Sequence, residues 1–99
     1  MKVQFVQSGG YLGLIKGCEI DTTTLPEEEA KQLESLVEAS GISAPTESLS
    51  DSARDLQQYE ITIDDGTSKI SAVLDDETLP PSAKPLVGYL RKRSGPKAL

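Results

Sequence analysis

The stretch Gln7-Ser8-Gly9-Gly10-Tyr11 separates two short runs in which apolar and polar residues alternate, residues 2–6 and 12–16. Alternation at a period of two is typical of a β-strand with one buried face. Adjacent glycines between such runs indicate a hairpin, because tight hairpin turns need a positive φ, which glycine adopts without a Cβ clash. The sequence therefore predicts an N-terminal β-hairpin. Residues 7–11 are either a plain turn or bare backbone that approaches another surface closely.

Residues 26–40 carry the strongest helix pattern of the chain. Pro26 suits a first helical position, and residues 27–29 are three glutamates placed at the positive end of the helix dipole. The dipole explains this glutamate run better than an acidic binding patch does. Gly41 follows as a left-handed cap. The apolar residues that recur at helical spacing are Ala30, Leu33, Leu36 and Val37.

Two more strands and a second helix are predicted downstream. Residues 56–63 and 68–74 alternate on either side of Asp64-Asp65-Gly66-Thr67, which contains a preferred hairpin pair. A helix follows from about residue 80 to 93, and Gly95-Pro96 ends it. Residues 42–55 show no regular pattern, and a loop of that length inside a compact domain is either functional or mobile.

The resulting element order is ββαββα, which predicts an α+β fold. We expect a four-stranded, mostly antiparallel sheet with both helices packed on its apolar face. The 99 residues suffice for one domain with one modest core. We therefore predict a monomer made of a single domain over residues 1–93, with a flexible basic tail over residues 94–99.

The charge distribution argues against nucleic acid or an anionic membrane as the main partner. The formal net charge is −6, from 16 acidic and 10 basic residues. Every acidic residue precedes Arg91, so the body of the chain is acidic, whereas phosphate binding needs clustered positive charge. The cations at the end of the chain suit the negative end of a helix dipole. A role as a nucleic-acid accessory protein that uses residues 91–97 is the weaker alternative.

The sequence lacks the residues that most catalytic and metal sites require. It contains no histidine, the usual general base and the commonest metal ligand. A single cysteine, Cys18, rules out an internal disulfide and does not make a zinc site by itself. Ser8-Gly9-Gly10 lacks the following helix and lysine of a phosphate-binding loop. We predict no catalytic residue, no metal and no cofactor; enzymatic activity would have to rest on carboxylates alone.

A membrane anchor is not expected. No apolar run approaches the length of a membrane helix, and Met1-Lys2 leads directly into a strand pattern without the apolar core of a signal peptide. We therefore predict a cytoplasmic protein that does not bind membranes.

Four segments, in this order and spacing, resemble the emfourin family over about residues 3–92. The first is Ser8-Gly9-Gly10 followed by an aromatic residue, and the second runs from Leu25-Pro26 through Leu36-Val37. The third is Tyr59-Glu60-Ile61-Thr62-Ile63, and the last is Leu79-Pro80 followed by Leu86-Val87-Gly88-Tyr89-Leu90. Emfourins are proteinaceous inhibitors of thermolysin-like zinc metalloproteases of the protealysin type.

The resemblance implies a small non-enzymatic protein that occupies the active-site cleft of such a protease. The zinc would belong to the target. Tyr11 stands where the family carries phenylalanine, and Gln7-Ser8 replaces a more charged pair of some members, so both bear on the choice of target. The implied contact residues are Gln7, Ser8, Gly9, Gly10 and Tyr11. The alternative is a regulatory protein–protein interaction module that binds through a sheet edge or its acidic surface, and a part for residues 42–55 in the contact stays open.

Overall fold

The computed structural model describes residues 1–9, 15–50 and 56–96. Among these residues, six strands and two α-helices follow one another. Their bounds are β1 Lys2–Gly9, β2 Lys16–Asp21, α1 Glu27–Ser40, β3 Thr46–Ser48, β4 Gln57–Asp64, β5 Lys69–Asp75, α2 Lys84–Lys92 and β6 Gly95–Pro96. Short 3-10 turns precede the two helices, at Thr22–Thr24 and Pro81–Ala83.

All strands belong to one sheet in the order β3-β5-β4-β1-β2-β6. The four predicted strands, β1, β2, β4 and β5, form its centre and pair antiparallel, which confirms the α+β class. β2 begins at Lys16, and the predicted strand residues 12–14 lie outside the described residues. The predicted number of strands is corrected by two short additions at the edges. β3 pairs parallel with β5, and β6 pairs antiparallel with β2, so the sheet is mixed. β3 lies within residues 42–55, which were predicted to be irregular. The sequence did not reveal this strand, because its side chains are all exposed and therefore show no alternation of apolar and polar residues.

The core lies on the sheet face that both helices cover. Val3 and Phe5 are fully buried there, opposite Ile63 and Ile61 of β4, as the alternation of β1 predicts. The helices complete the same cluster with apolar side chains at the predicted spacing. Those that are fully buried are Leu33, Leu86 and Leu90, whereas Leu36 and Val37 pack against the cluster while partly buried.

Strand directions give the sheet two distinct ends. β1, β3 and β5 finish at one end, where β2 and β4 begin, because each central pair is antiparallel and β3 runs parallel to β5. We call this the loop end, and its marker residues are Gly9, Lys16, Ser48, Gln57 and Asp75. The opposite end, which we call the turn end, carries residue 1 and the β4–β5 turn. Strand ends that are far apart in sequence, Gly9 and Lys16 on one side and Ser48 and Gln57 on the other, therefore lie at the same end of the sheet.

The β4–β5 connection is the predicted Asp-Gly turn. Gly66 has a φ of +95°. The Asp65 carboxylate accepts hydrogen bonds from the backbone N–H groups of Ser68 and Thr67 at 2.8 and 2.9 Å. These bonds lower the pKa of Asp65 to about 2.

The C-terminal residues that are described do more than end a helix. Gly95 and Pro96 pair with Gly17 and Lys16 of β2, and residues 97–99 lie outside the described residues. The division into a domain of residues 1–93 and a flexible tail stays a prediction. In the part of the chain that is described, no helix is long and apolar enough to span a membrane.

Candidate functional site

The predicted contact segment, residues 7–11, begins within the sheet. Gln7, Ser8 and Gly9 are the last three residues of β1, and Gly10 and Tyr11 lie outside the described residues. The three described residues pair with the first three residues of β4. The segment therefore starts from a strand that is anchored on its neighbour up to Gly9.

Gly9 is the position at which β1 requires glycine. Its φ is +85°, a backbone conformation that residues with a side chain rarely adopt. A Cβ atom at this position would lie 2.9 Å from the carbonyl oxygen of Leu56, which is closer than such contacts occur. Both the backbone conformation and the lack of space thus agree with a hairpin that begins to turn at Gly9.

Gln7 is a polar side chain on the apolar face of β1. It is only 9% exposed, and it lies on the same face as Val3 and Phe5. Its Oε1 atom accepts a hydrogen bond from Arg91 Nε at 3.0 Å, and its Nε2 atom donates to Gln57 Oε1 at 3.1 Å. These two bonds satisfy both ends of a carboxamide that would otherwise be costly to bury.

Arg91 reaches this position from the last turn of α2. Its Nη2 atom donates to the hydroxyl of Tyr59 at 2.7 Å, and its guanidinium carbon lies 5.5 Å from the centre of the Tyr59 ring. The Tyr59 hydroxyl in turn donates to Oδ1 of Asp76. Burial, together with the bond to Asp76, raises the pKa of Tyr59 to about 12. The phenol therefore keeps its proton at neutral pH and acts as donor and acceptor at once.

Backbone bonds connect this cluster to the start of β4. Oδ2 of Asp76 accepts from the N–H of Gln57 at 3.2 Å, and the N–H of Asp76 donates to the carbonyl of Gln57 at 3.2 Å. We call the five residues Gln7, Gln57, Tyr59, Asp76 and Arg91 the Arg91 network. This network joins β1, β4, the connection after β5, and α2, and it includes Gln7, the first residue of the contact segment.

Asp75, at the end of β5, binds the chain that follows β3. This carboxylate has no exposed surface and accepts from the backbone N–H of Ser50 at 2.6 Å, and from those of Glu77 and Thr78 at 2.8 and 2.9 Å. The bond from Ser50 is the largest of the effects that lower the pKa of Asp75 to about 2. Asp75 thus holds the chain at residue 50, just before residues 51–55, which are not described.

The chemistry available at the loop end is that of a shaped, hydrogen-bonded surface. Among the residues that the structure describes, no group of three or more histidine, cysteine, aspartate or glutamate side chains is arranged to hold a metal ion. The Arg91 network was not found from the sequence, which assigned Arg91 to a solvated helix end. One signal was available: Arg91 follows Val87 by four residues and so lies on the helix face that packs on the sheet.

Comparison with known proteins supports the family resemblance. A family model described as Emfourin matches residues 5–91, which include β1 from Phe5 onwards, the other three central strands, and the second helix up to Arg91. Neither the curated proteins nor the solved structures give a match.

Proposed function

The chain belongs to the emfourin family, and from this premise we propose that it is a proteinaceous inhibitor of a thermolysin-like zinc metalloprotease. It blocks substrate by filling the active-site cleft of the protease, and the contact segment, Gln7 to Tyr11, lies at the interface. Such an inhibitor needs no catalytic residue and no cofactor of its own. The family match over residues 5–91 is the observation that carries the proposal.

The loop end supplies the rigid support that this mechanism requires. Ordering a loop on binding costs roughly 0.5–1.5 kcal/mol for each flexible side chain that is immobilised, so a loop held before binding gives a tighter complex. β1 is paired on both sides up to Gln7, and Gly9 is paired with Gln57. Tyr11 adds a large amphipathic ring, a residue type that often anchors protein interfaces. We include in the proposal a single domain that acts as a monomer.

Inhibition constants against a panel of thermolysin-like proteases test the proposal. We expect the wild-type protein to inhibit at least one of them and Tyr11→Ala to weaken that inhibition. Gly9→Ala and Gly66→Ala are compared because both glycines have a positive φ but lie at opposite ends of the sheet; the Cβ at residue 9 also crowds the Leu56 carbonyl oxygen, so urea unfolding of both variants accompanies the inhibition constants. Gly9→Ala should raise the inhibition constant, whereas Gly66→Ala should lower stability and leave the inhibition constant unchanged.

Two outcomes would redirect the proposal. If the wild-type protein leaves every protease active at micromolar concentration, inhibition fails and a regulatory interaction module takes its place. If the wild-type protein inhibits, but Gly9→Ala and Tyr11→Ala inhibit equally well, the function stands and the contact lies elsewhere. Residues 42–55, of which Ser50 donates a backbone hydrogen bond to Asp75 at the loop end, are then the next segment to vary.

A further inference from the structure

Arg91 connects the last helix of the fold to the strand that leads into the contact segment. We propose that Arg91 is a positioning residue for inhibition: by holding the side chain of Gln7, it fixes the end of β1, residues 7–9, from which the chain continues into the rest of the contact segment. This inference rests on the proposed function, because it assigns to Arg91 a part in the inhibitory geometry. It does not require Arg91 to touch the protease.

The first step is the position of the guanidinium between two neighbouring strands. Nε bonds to Gln7 on β1, and Nη2 bonds to Tyr59 on β4, at 3.0 and 2.7 Å. Gln7 and Tyr59 are directly paired across these strands. A planar guanidinium offers several donors in a fixed fork, so one side chain holds both acceptors at a set separation. Arg91 therefore ties the ends of β1 and β4 to α2.

The second step is the orientation of the Gln7 carboxamide. Because Arg91 offers only donors, the oxygen of this carboxamide faces Arg91, and its nitrogen is then directed at Gln57. Gln57 is the residue paired with Gly9, where the backbone takes its positive φ. Arg91 is thus connected through Gln7 and Gln57 to Gly9, the last residue of β1.

The third step is the cost of losing Arg91. Gln7 is buried, so removal of the guanidinium leaves its carboxamide oxygen without a donor in an apolar face. We expect the Gln7 side chain then to turn outwards or to bond to a water molecule in place of Arg91, and either change should release the end of β1 from α2. The Tyr59 hydroxyl accepts from Arg91 and donates to the carboxylate of Asp76, and these two charge-assisted hydrogen bonds favour one fixed arrangement of the network.

A rival explanation is direct contact between Arg91 and the protease, since the residue also has exposed surface. A double-mutant cycle separates the two explanations. Residues that act through each other give non-additive effects, whereas independent contacts add. Gln7→Met suits the cycle because it keeps the length of the side chain and removes both hydrogen-bonding groups. Lys92→Ala is the matched control, since it removes an exposed cation from the next position of the same helix.

The expected results follow from the loss of one charge-assisted hydrogen bond, which corresponds to about a tenfold change in a binding constant. Arg91→Ala and Gln7→Met should each raise the inhibition constant by about tenfold. The inhibition constant of the double variant should be no higher than the higher of the two single-variant values. Lys92→Ala should inhibit like the wild-type protein. Additive losses in the double variant would assign Arg91 to the protease contact and overturn the positioning role.

An experiment on the free inhibitor tests the same inference without a protease. Amide hydrogen exchange, followed by NMR, should become faster at Ser8 and Gly9 in Arg91→Ala and remain unchanged in Lys92→Ala. Urea unfolding of each variant shows whether faster exchange reflects a global loss of stability, which would also appear at Ile61 in the core. Unchanged exchange at Ser8 and Gly9 would overturn the positioning role. If the protein inhibits no protease, the proposed function is overturned, but the hydrogen-exchange rates at Ser8 and Gly9 still show whether Arg91 holds the end of β1.

Discussion

Asp75 shows how a single carboxylate at the loop end makes the fold sensitive to acid. The backbone N–H groups of Ser50, Glu77 and Thr78 donate hydrogen bonds to this carboxylate. These bonds, of which the one from Ser50 has the largest effect, lower the pKa of Asp75 from 3.8 to about 2. The folded protein therefore binds this proton more weakly than the unfolded chain does. The resulting stabilisation is fully present above pH 3.8 and is lost as the pH falls through about 2.

We accordingly expect the wild-type protein to lose stability as the pH is lowered from 3.8 towards 2. Asp75→Asn should be less stable at neutral pH, because an amide nitrogen then faces backbone donors, and its stability should depend less steeply on pH in this range. Urea unfolding at a series of pH values measures both effects. Asp65, whose pKa is also lowered to about 2, preserves part of the acid dependence in the variant. An acid dependence as steep as that of the wild type would contradict the assignment.

The candidate site itself was only partly predictable at the level of residues. The glycine pair and the alternation of β1 are local features, and they placed the contact segment at the end of a strand. The partners of Gln7 are distant: Gln57 and Arg91 lie 50 and 84 residues away in sequence. No local period relates these positions, because their proximity depends on the order of the strands and on where α2 crosses the sheet. Arg91 therefore resembled an ordinary cation near a helix C-terminus.

Helix α1 contributes to the core mainly through Leu33, which is fully buried, whereas Leu36 is only partly buried. Leu33→Ala should lower the free energy of unfolding by about 2–5 kcal/mol, as truncation of a buried leucine usually does. Leu36→Ala should cost less, because part of its surface is already in contact with water. Urea unfolding of the two variants measures the difference. Equal losses would show that α1 packs through a broader face than its burial indicates.

The two elements that the sequence did not predict are the short edge strands β3 and β6, which join the sheet by main-chain pairing. β3 consists of Thr46-Glu47-Ser48, all exposed, and it joins the sheet only through its main-chain pairing with β5. β6 is Gly95-Pro96, a pair that is typical of a helix end. The four central strands and both helices each pack apolar side chains of one face against the core, fully buried or, in β2, partly buried, so a period of 2 or 3.6 residues marks them in the sequence. Main-chain pairing alone leaves no such mark.

The first and the last described residues of the chain lie at opposite ends of the sheet. Residue 1 lies at the turn end, where its amino group donates to Thr22 Oγ1 at 3.0 Å. Pro96 lies at the loop end, paired with Lys16 at the start of β2. β2 and β1 are neighbours, so Pro96 is two strands away from Gln7. A bulky group attached to the chain should therefore have opposite consequences at the two termini.

We expect a folded domain fused before residue 1 through a flexible linker to leave inhibition nearly unchanged, since it lies at the turn end. The same domain fused after residue 99 should weaken inhibition, because a linker that starts three residues beyond Pro96 leaves the domain beside the contact segment. Removal of residues 95–99 is the control: it deletes only the short β6 of the described sheet, so it should lower stability by less than about 1 kcal/mol and preserve inhibition. Inhibition constants for the three proteins, with urea unfolding for each, measure these effects. Stronger interference from the N-terminal fusion would place the contact at the turn end.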